Sequence, residues 1–284
     1  MGSVRENGLG AANLRLVGAP SLSLDSDELA RDYERISATR QFQSGQRLAA
    51  ELGIVPGERV LDLGCGTGLL AEHISDLVGP QGSVVGIDPL PLRIELARSK
   101  QRPNLSFEVG DAFHLDMLQD SSFDVVIMNA VFHWLPEKTR PLLECARVLH
   151  PGGRVGIGTM LKGHRTRVHQ IASKVLSEPP FDRFPRPRAQ LTFPVDAEEM
   201  RAFFEMTGFS ALLIEVREST RMWPSPEAAI SFSEASSFGN FLGHLPPELK
   251  ARARVTIRQR LQNLMTADGI IHHGRRLVAI AARR

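Results

Sequence analysis

Residues 60–71 read VLDLGCGTGLLA. A branched apolar run of the kind that forms a buried strand meets three glycines at alternate positions, and helical spacing follows. This join constrains the fold more than any other stretch of the chain. A loop that leaves a strand and opens a helix turns its N–H groups, and the positive end of the helix, toward whatever sits on the strand ends.

The flanking sequence repeats the same alternation. ERVLDL (58–63), SVVGID (83–88), LSFEVGD (105–111), FDVVIMN (123–129) and RVGIGTM (154–160) read as strands. Between them LLAEHISDLV (69–78), PLRIELARSK (91–100) and EKTRPLLECARVLH (137–150) read as helices, the second opened by Pro91 and the third ended by Pro151-Gly152-Gly153. Strands separated by helices predict an α/β fold, a doubly wound Rossmann-like sheet. MRAFFEMTGF (200–209), ALLIEVREST (211–220) and RRLVAIAARR (275–284) add a helix and two strands, for a sheet of about seven strands.

The expected organisation has seven parts. They are a mobile tail over 1–24, cap helices over 25–53, a core over 54–160 and a basic, Pro-rich, partly irregular excursion over 161–199. A return helix and strand cover 200–221, a helical lid inserts over 222–274, and a final strand covers 275–284. About fifty residues part the last two strands, against ~4–6 in most connections. The insertion therefore reads as a lid on the ligand edge of the sheet.

A dinucleotide loop reads G-x-G-x-x-G. Here Gly64, Gly66 and Gly68 make G-x-G-x-G, and Leu69 takes the place of the third glycine. Asp62 stands two residues before the first of them. A carboxylate there repels a pyrophosphate and can hold an ammonium group. The loop thus suits a cofactor with a zwitterionic amino-acid end. Asp88 ends the second strand, where a carboxylate can accept both hydroxyls of a ribose. Asp111, in VGDAF, can accept from an adenine amino group while Ala112 offers its N–H, and Asn129 ends the fourth strand. Each of these has a plainer reading alone: a tight turn, a helix cap, a turn acid.

Together the stretches VLDLGCGTG, VVGIDP, VGDAF, FDVVIMNAVFHW and RVLHPGGRV resemble the successive motifs of the class I S-adenosylmethionine-dependent methyltransferases. The resemblance covers residues 30–160 and, more loosely, the last two strands. It implies S-adenosyl-L-methionine as cofactor, with Asp62, Gly64, Gly66 and Gly68 around the methionine portion. Cys65, within the loop, takes a place where small residues fit and receives no chemistry. Asp88 and Pro89 would hold the ribose end, Asp111 and Ala112 the adenine, and Asn129 would lie near the methionine. Family members cover that end with an N-terminal helix, which makes Tyr33, Arg40 and Gln43 candidate contacts; an ordinary helix packing Phe42 inward is the alternative.

The sulfonium makes the methyl group electrophilic, so the protein has to hold a nucleophile in line behind it. A hydroxyl or protonated amine also needs a base. His133, in NAVFHWLPE just past the fourth strand, is the candidate, with Phe132 and Trp134 shaping the pocket. The plainer reading is that His133 shapes the pocket too. In the lid, Phe232, Phe238 and Phe241 can line an apolar substrate pocket or form the lid's own core. These features favour a metal-independent enzyme that methylates oxygen, or nitrogen, on a mid-sized and mostly apolar secondary metabolite.

Other types fit less well. After Asn129 come Ala130 and Val131, where metal-assisted catechol-type enzymes need acids and nucleic-acid amino methylases show prolines. Two cysteines cannot supply the thiolates of an arsenite enzyme, and the N-terminal signature of ubiquinone-type C-methyltransferases is not evident. A net charge of +2 argues against a nucleic-acid partner, and no apolar run reaches the ~20 residues of a membrane span. The expected setting is cytoplasmic, as a monomer or homodimer. Two rivals remain: a cofactor-binding relative that no longer methylates, and a protein or RNA methyltransferase.

Overall fold

The computed structural model describes residues 26–100, 102–187, 191–237 and 241–284. The expected tail over 1–24 and Phe238 lie outside them.

Seven strands form one sheet in the order β3-β2-β1-β4-β5-β7-β6. They are β1 (Arg59–Leu63), β2 (Ser83–Asp88), β3 (Leu105–Val109), β4 (Phe123–Asn129), β5 (Leu149–Met160), β6 (Phe209–Trp223) and β7 (Ile270–Arg283). The first five run parallel, and β7 lies antiparallel to both its neighbours. Strand order reverses between β1 and β4, the switch point beyond whose carboxyl ends ligands bind in open α/β sheets.

The two faces follow from period-two alternation along the strands. Leu61 and Leu63 enter one core with Leu142, Cys145 and Val148 of α5 (Thr139–Val148) and Met200 and Phe204 of α7 (Ala197–Met206). Val60 enters the other, with Leu48 and Leu52 of α2 (Thr39–Glu51), Ile74 and Val78 of α3 (Leu69–Val78) and Ile94 of α4 (Pro91–Arg98). Asp62 shares that second face yet is buried. Ahead of α2, α1 (Asp27–Asp32) continues into a π-helical turn over Tyr33–Ala38.

The excursion is more regular than its composition implies. It contains α6 (Arg167–Leu176), capped by Thr166 and burying Val168, Ala172 and Val175. Asp196 and Glu199 form a capping box that starts α7 three residues earlier than the apolar pattern alone suggests. The last two strands are also longer than expected. β7 pairs with β5 only from Arg276 onward, so Ile270–Arg275 pair with β6 alone and form a two-stranded ribbon beyond the sheet. The residues that extend it past the expected strands (Arg221–Trp223 and Ile270–Gly274) carry no strand signal, because neither face of a free ribbon has to be apolar. The ribbon carries α8 (Pro226–Ala235) and α9 (Pro247–Gln262). With α6 they enclose a third core around Trp223, Ile230, Phe241, Ile257 and Leu261. The lid thus has an interior of its own.

Candidate active site

The glycine loop is held by geometry that other residues resist. Gly64, Gly66 and Gly68 all have φ between +57° and +84°, the left-handed region open to glycine. A Cβ on Gly64 would meet Val131 at 2.2 Å, and one on Gly68 would meet Phe107 at 2.7 Å. The N–H groups of Gly64 and Cys65 donate to the Ile87 carbonyl at 2.7 and 3.0 Å, and Gly66 N–H donates to Asp88 Oδ2 at 2.9 Å. Asp88 Oδ1 accepts from Leu90 N–H at 3.0 Å. The β2 carboxylate therefore ties the loop to its own strand end.

A cleft of about 770 Å³ opens over these strand ends. It brings together Tyr33, Gly64, Gly66, Asp88, Pro89 and Asp111, with Ala112, Asn129 and Trp134 further along the wall. Asp111 Oδ1 accepts from Phe113 N–H at 2.7 Å. A smaller lobe of about 340 Å³ adjoins it at Tyr33, Gln41, Gly64 and Asn129 and reaches Asp62 and Cys65. There Asp62 Oδ2 is buried without a hydrogen-bond partner. Burial, then the nearby Asp88 carboxylate, pushes the Asp62 carboxyl up to about 7, against an N–H from Ala71 that lowers it. An orphaned buried carboxylate beside a glycine loop suits an incoming ammonium group. The residues present fit a cofactor with an amino-acid end.

Tyr33 closes the loop from above. Its hydroxyl would lie 3.3 Å from a Cβ on Gly66, and it donates to Gln41 Oε1 at 2.5 Å. The Arg93 guanidinium lies 4.0 Å from the ring centroid. Burial pushes the phenol up to about 12, so it remains a neutral donor. Sequence reasoning chose Gln43, which is exposed, and passed over Gln41, which lines both lobes. The π-helical turn shifts the phase between Tyr33 and α2, and plain helical periodicity does not register such a turn. Arg93 gave no signal beyond its place on α4.

Asn129 is a junction. Its Nδ2 donates to the Gln41 carbonyl at 2.8 Å, and its Oδ1 accepts from Ser44 at 3.3 Å and Arg276 at 2.9 Å. The next residue, Ala130, has φ of 64°, uncommon without glycine. Ala130 and Gln41 line both the main cleft and a further cavity of about 570 Å³. That cavity holds His133, Thr159 and four arginines: Arg40, Arg221, Arg275 and Arg276. His133 Nδ1 lies 3.2 Å from Thr159 Oγ1. Burial, then the charges of Lys138 and Arg276, takes this imidazole down to about 3. Lys138, whose Nζ donates to the Phe132 and Leu135 carbonyls at 2.5 Å, is brought down to about 7, chiefly by burial.

The expected aromatic lining changes place. Phe132 is wholly inside the sheet core and Phe241 inside the lid core, 0% and 2% exposed. Each fills volume between packed elements, so neither faces a ligand. Trp134 does line the main cleft. Of the lid, Ser236 at the end of α8 reaches that cleft.

A switch-point cleft with a glycine loop, an orphaned acid and a ribose-position carboxylate defines a doubly wound nucleotide-cofactor domain. Comparison gives its family: residues 54–178 match the methyltransferase domain family, and this region is a class I S-adenosylmethionine-dependent methyltransferase domain, with S-adenosylmethionine as its cofactor. The chain is 36% identical over 149 residues to an arsenite methyltransferase of Halobacterium salinarum, covering 51% of this chain and 37% of that protein. It is 34% identical over 137 residues to a demethylmenaquinone methyltransferase of Lactococcus lactis, covering 45% and 54%. It thus spans about half the length, or less, of these curated relatives. The fold matches the methyltransferase solved in complex with the Trm112 methyltransferase activator of Haloferax volcanii, with TM-score 0.58, 19% identity and coverage of 91% of this chain and 98% of that one. Among the described residues, no helix is long and apolar enough to cross a membrane.

Proposed function

We propose that the protein transfers the methyl group of S-adenosylmethionine to an oxygen, or a nitrogen, of a small molecule. The observation that carries this reading is the orphaned Asp62 carboxylate beside the glycine loop, one cavity wall away from a second, separate cavity. The amino-acid end of the cofactor would meet Asp62, its ribose Asp88, and its adenine Asp111 and Ala112. When bound, the cofactor supplies an electrophilic methyl group. The chain's residues place an acceptor behind it, across Ala130 and Gln41, and the lid screens the site from water.

His133 stands at the acceptor cavity, and we assign it a positioning role through Thr159. Taking up a proton there would create a buried cation beside Lys138 and Arg276, which the surroundings oppose. Arsenite is a poor match as acceptor. Cys65 and Cys145 are buried on opposite faces of the sheet, and burial drives both thiols well up, away from the thiolate form.

The test is calorimetric titration with S-adenosylmethionine and S-adenosylhomocysteine, followed by transfer of labelled methyl to an acceptor panel. Micromolar binding with transfer supports the reading. No binding by the full chain overturns it, and binding without transfer to any acceptor favours a relative that has left methylation behind.

A further inference from the structure

The acceptor cavity is cationic, and the cause is local, since the whole chain carries only +2. Among the described residues, four arginines line it and no aspartate or glutamate does. Several arginines elsewhere are paired: Arg147 with Glu144 and Asp120, Arg154 with Glu58, Arg254 with Glu227 and Glu234, Arg260 with Glu178. In the cavity only Arg275 has such a partner, Glu218 at 3.2 Å. Among the described residues, no carboxylate lies at ion-pair distance from Arg40, Arg221 or Arg276.

The fold holds these charges together at a cost. The Arg40 guanidinium carbon sits over Trp223, 3.7 Å from the ring centroid, and its buried Nη1 has no hydrogen-bond partner. Arg276 crosses β5 where Gly158 leaves room: a Cβ there would stand 1.7 Å from its Nη2. Burial lowers all three guanidinium groups; Arg221 adds to this at Arg40 and Arg276, Arg47 adds to it at Arg221, and Glu51 offsets part of it at Arg276. Partly buried like charges that lack an ion-paired carboxylate are suited to a ligand that supplies the charge. Guanidinium forks match the oxygens of carboxylates and phosphates.

We propose that this arginine pocket is the acceptor subsite and that the methyl acceptor is a small molecule bearing an anionic carboxylate or phosphate group, held by Arg40, Arg221 and Arg276 beside the methyl end of the cofactor cleft. The proposal names the acceptor class for the methyltransferase reading and rests on it for the role of the bound anion. It replaces the apolar acceptor expected from the phenylalanine-rich lid, because Phe241 packs inside that lid.

The experiment is titration of the full chain, with and without S-adenosylhomocysteine, at low ionic strength. The probes are succinate and citrate for the carboxylate arm, inorganic phosphate for the other, and succinamide as the neutral control. Succinate, citrate or phosphate should bind while succinamide does not. Arg221→Gln should weaken that binding at least tenfold, with S-adenosylhomocysteine affinity within twofold of wild type. Arg40→Gln provides a second variant if Arg221→Gln misfolds. Anion binding that survives both substitutions, or no binding of any acid by wild-type protein, overturns the proposal. Failure of S-adenosylhomocysteine alone to bind overturns the cofactor reading instead, and the acid titration of the unliganded chain still decides the pocket.

Discussion

At Asp62 stability and binding pull in opposite directions. A buried carboxylate oxygen without a donor costs the free protein and serves a cationic ligand. Asp62→Asn should therefore raise the melting temperature of the unliganded protein. It should also weaken S-adenosylmethionine binding at least tenfold, or ~1.4 kcal/mol. Thermal denaturation and calorimetry on the same preparation check both signs, and a structural acid would show stability loss instead. Gly64 behaves differently. Its φ of 82° and the 2.2 Å approach of Val131 leave no room for a methyl group. Gly64→Ala should cost about 1–3 kcal/mol from backbone strain alone, read as a lower urea midpoint, with cofactor affinity falling because Val131 also lines the cleft. The chemistry of both residues is legible in the motif. The orphaned oxygen is not, because it depends on which neighbours the fold fails to supply.

Among the elements, the lid is the informative one. The helices α6, α8 and α9 bury Val168, Ala172, Ile230, Ala253 and Ile257 against each other and against Trp223, a core separate from those flanking the sheet. Ile257 is 0% exposed, so Ile257→Ala should cost ~2–5 kcal/mol locally. Hydrogen exchange should then show lost protection in α6, α8 and α9, with β1–β5 still protected and cofactor affinity within a few-fold of wild type. Uniform loss of protection would show that the lid and the sheet unfold as one unit. The sequence revealed that an insertion exists and that it is helical. It hid the partnership with α6, because that helix lies some fifty residues upstream in a Pro-rich stretch. It also hid the outer part of the ribbon, whose polar alternation lacks the apolar face that marks a strand.

For the whole molecule, the buried titratable groups give stability a pH dependence. The folded pKa of Asp62 lies above its ordinary value, at about 7. The folded state therefore binds more protons between about 4 and 7, and this group's contribution, full below its ordinary value, is lost as pH rises toward 7. At ~1.4 kcal/mol per pK unit the loss is on the order of 4 kcal/mol. His133, lowered to about 3, acts in the opposite sense: its contribution grows as pH rises from about 3 toward its ordinary value. His169, His244 and His272, each lowered to about 4 chiefly by burial, act in the same sense as His133, so the wild-type profile should rise with pH against the opposing slope of Asp62. Asp62→Asn should steepen that rise, measured as ΔG of unfolding from urea titrations between pH 4 and pH 7. A variant profile parallel to wild type would show that Asp62 is ionised at low pH in the fold.

The sequence by itself determined the parallel core, the glycine loop and the acids at the ends of β1, β2 and β3. These are local features: alternation, glycine where φ is positive, a carboxylate at a strand end. Each is written within a few consecutive residues. The tertiary structure alone decided which residues meet at the acceptor side. Arg40 comes from α2, His133 from the turn after β4, Arg221 and Arg275 from the ribbon, and Arg276 from β7 where it joins β5. They converge because β7 returns antiparallel beside β5, and no sequence spacing encodes that distance. The same step moved Phe132 and Phe241 inward, since apolar side chains fill cores before they line pockets, and left the cavity to the charges.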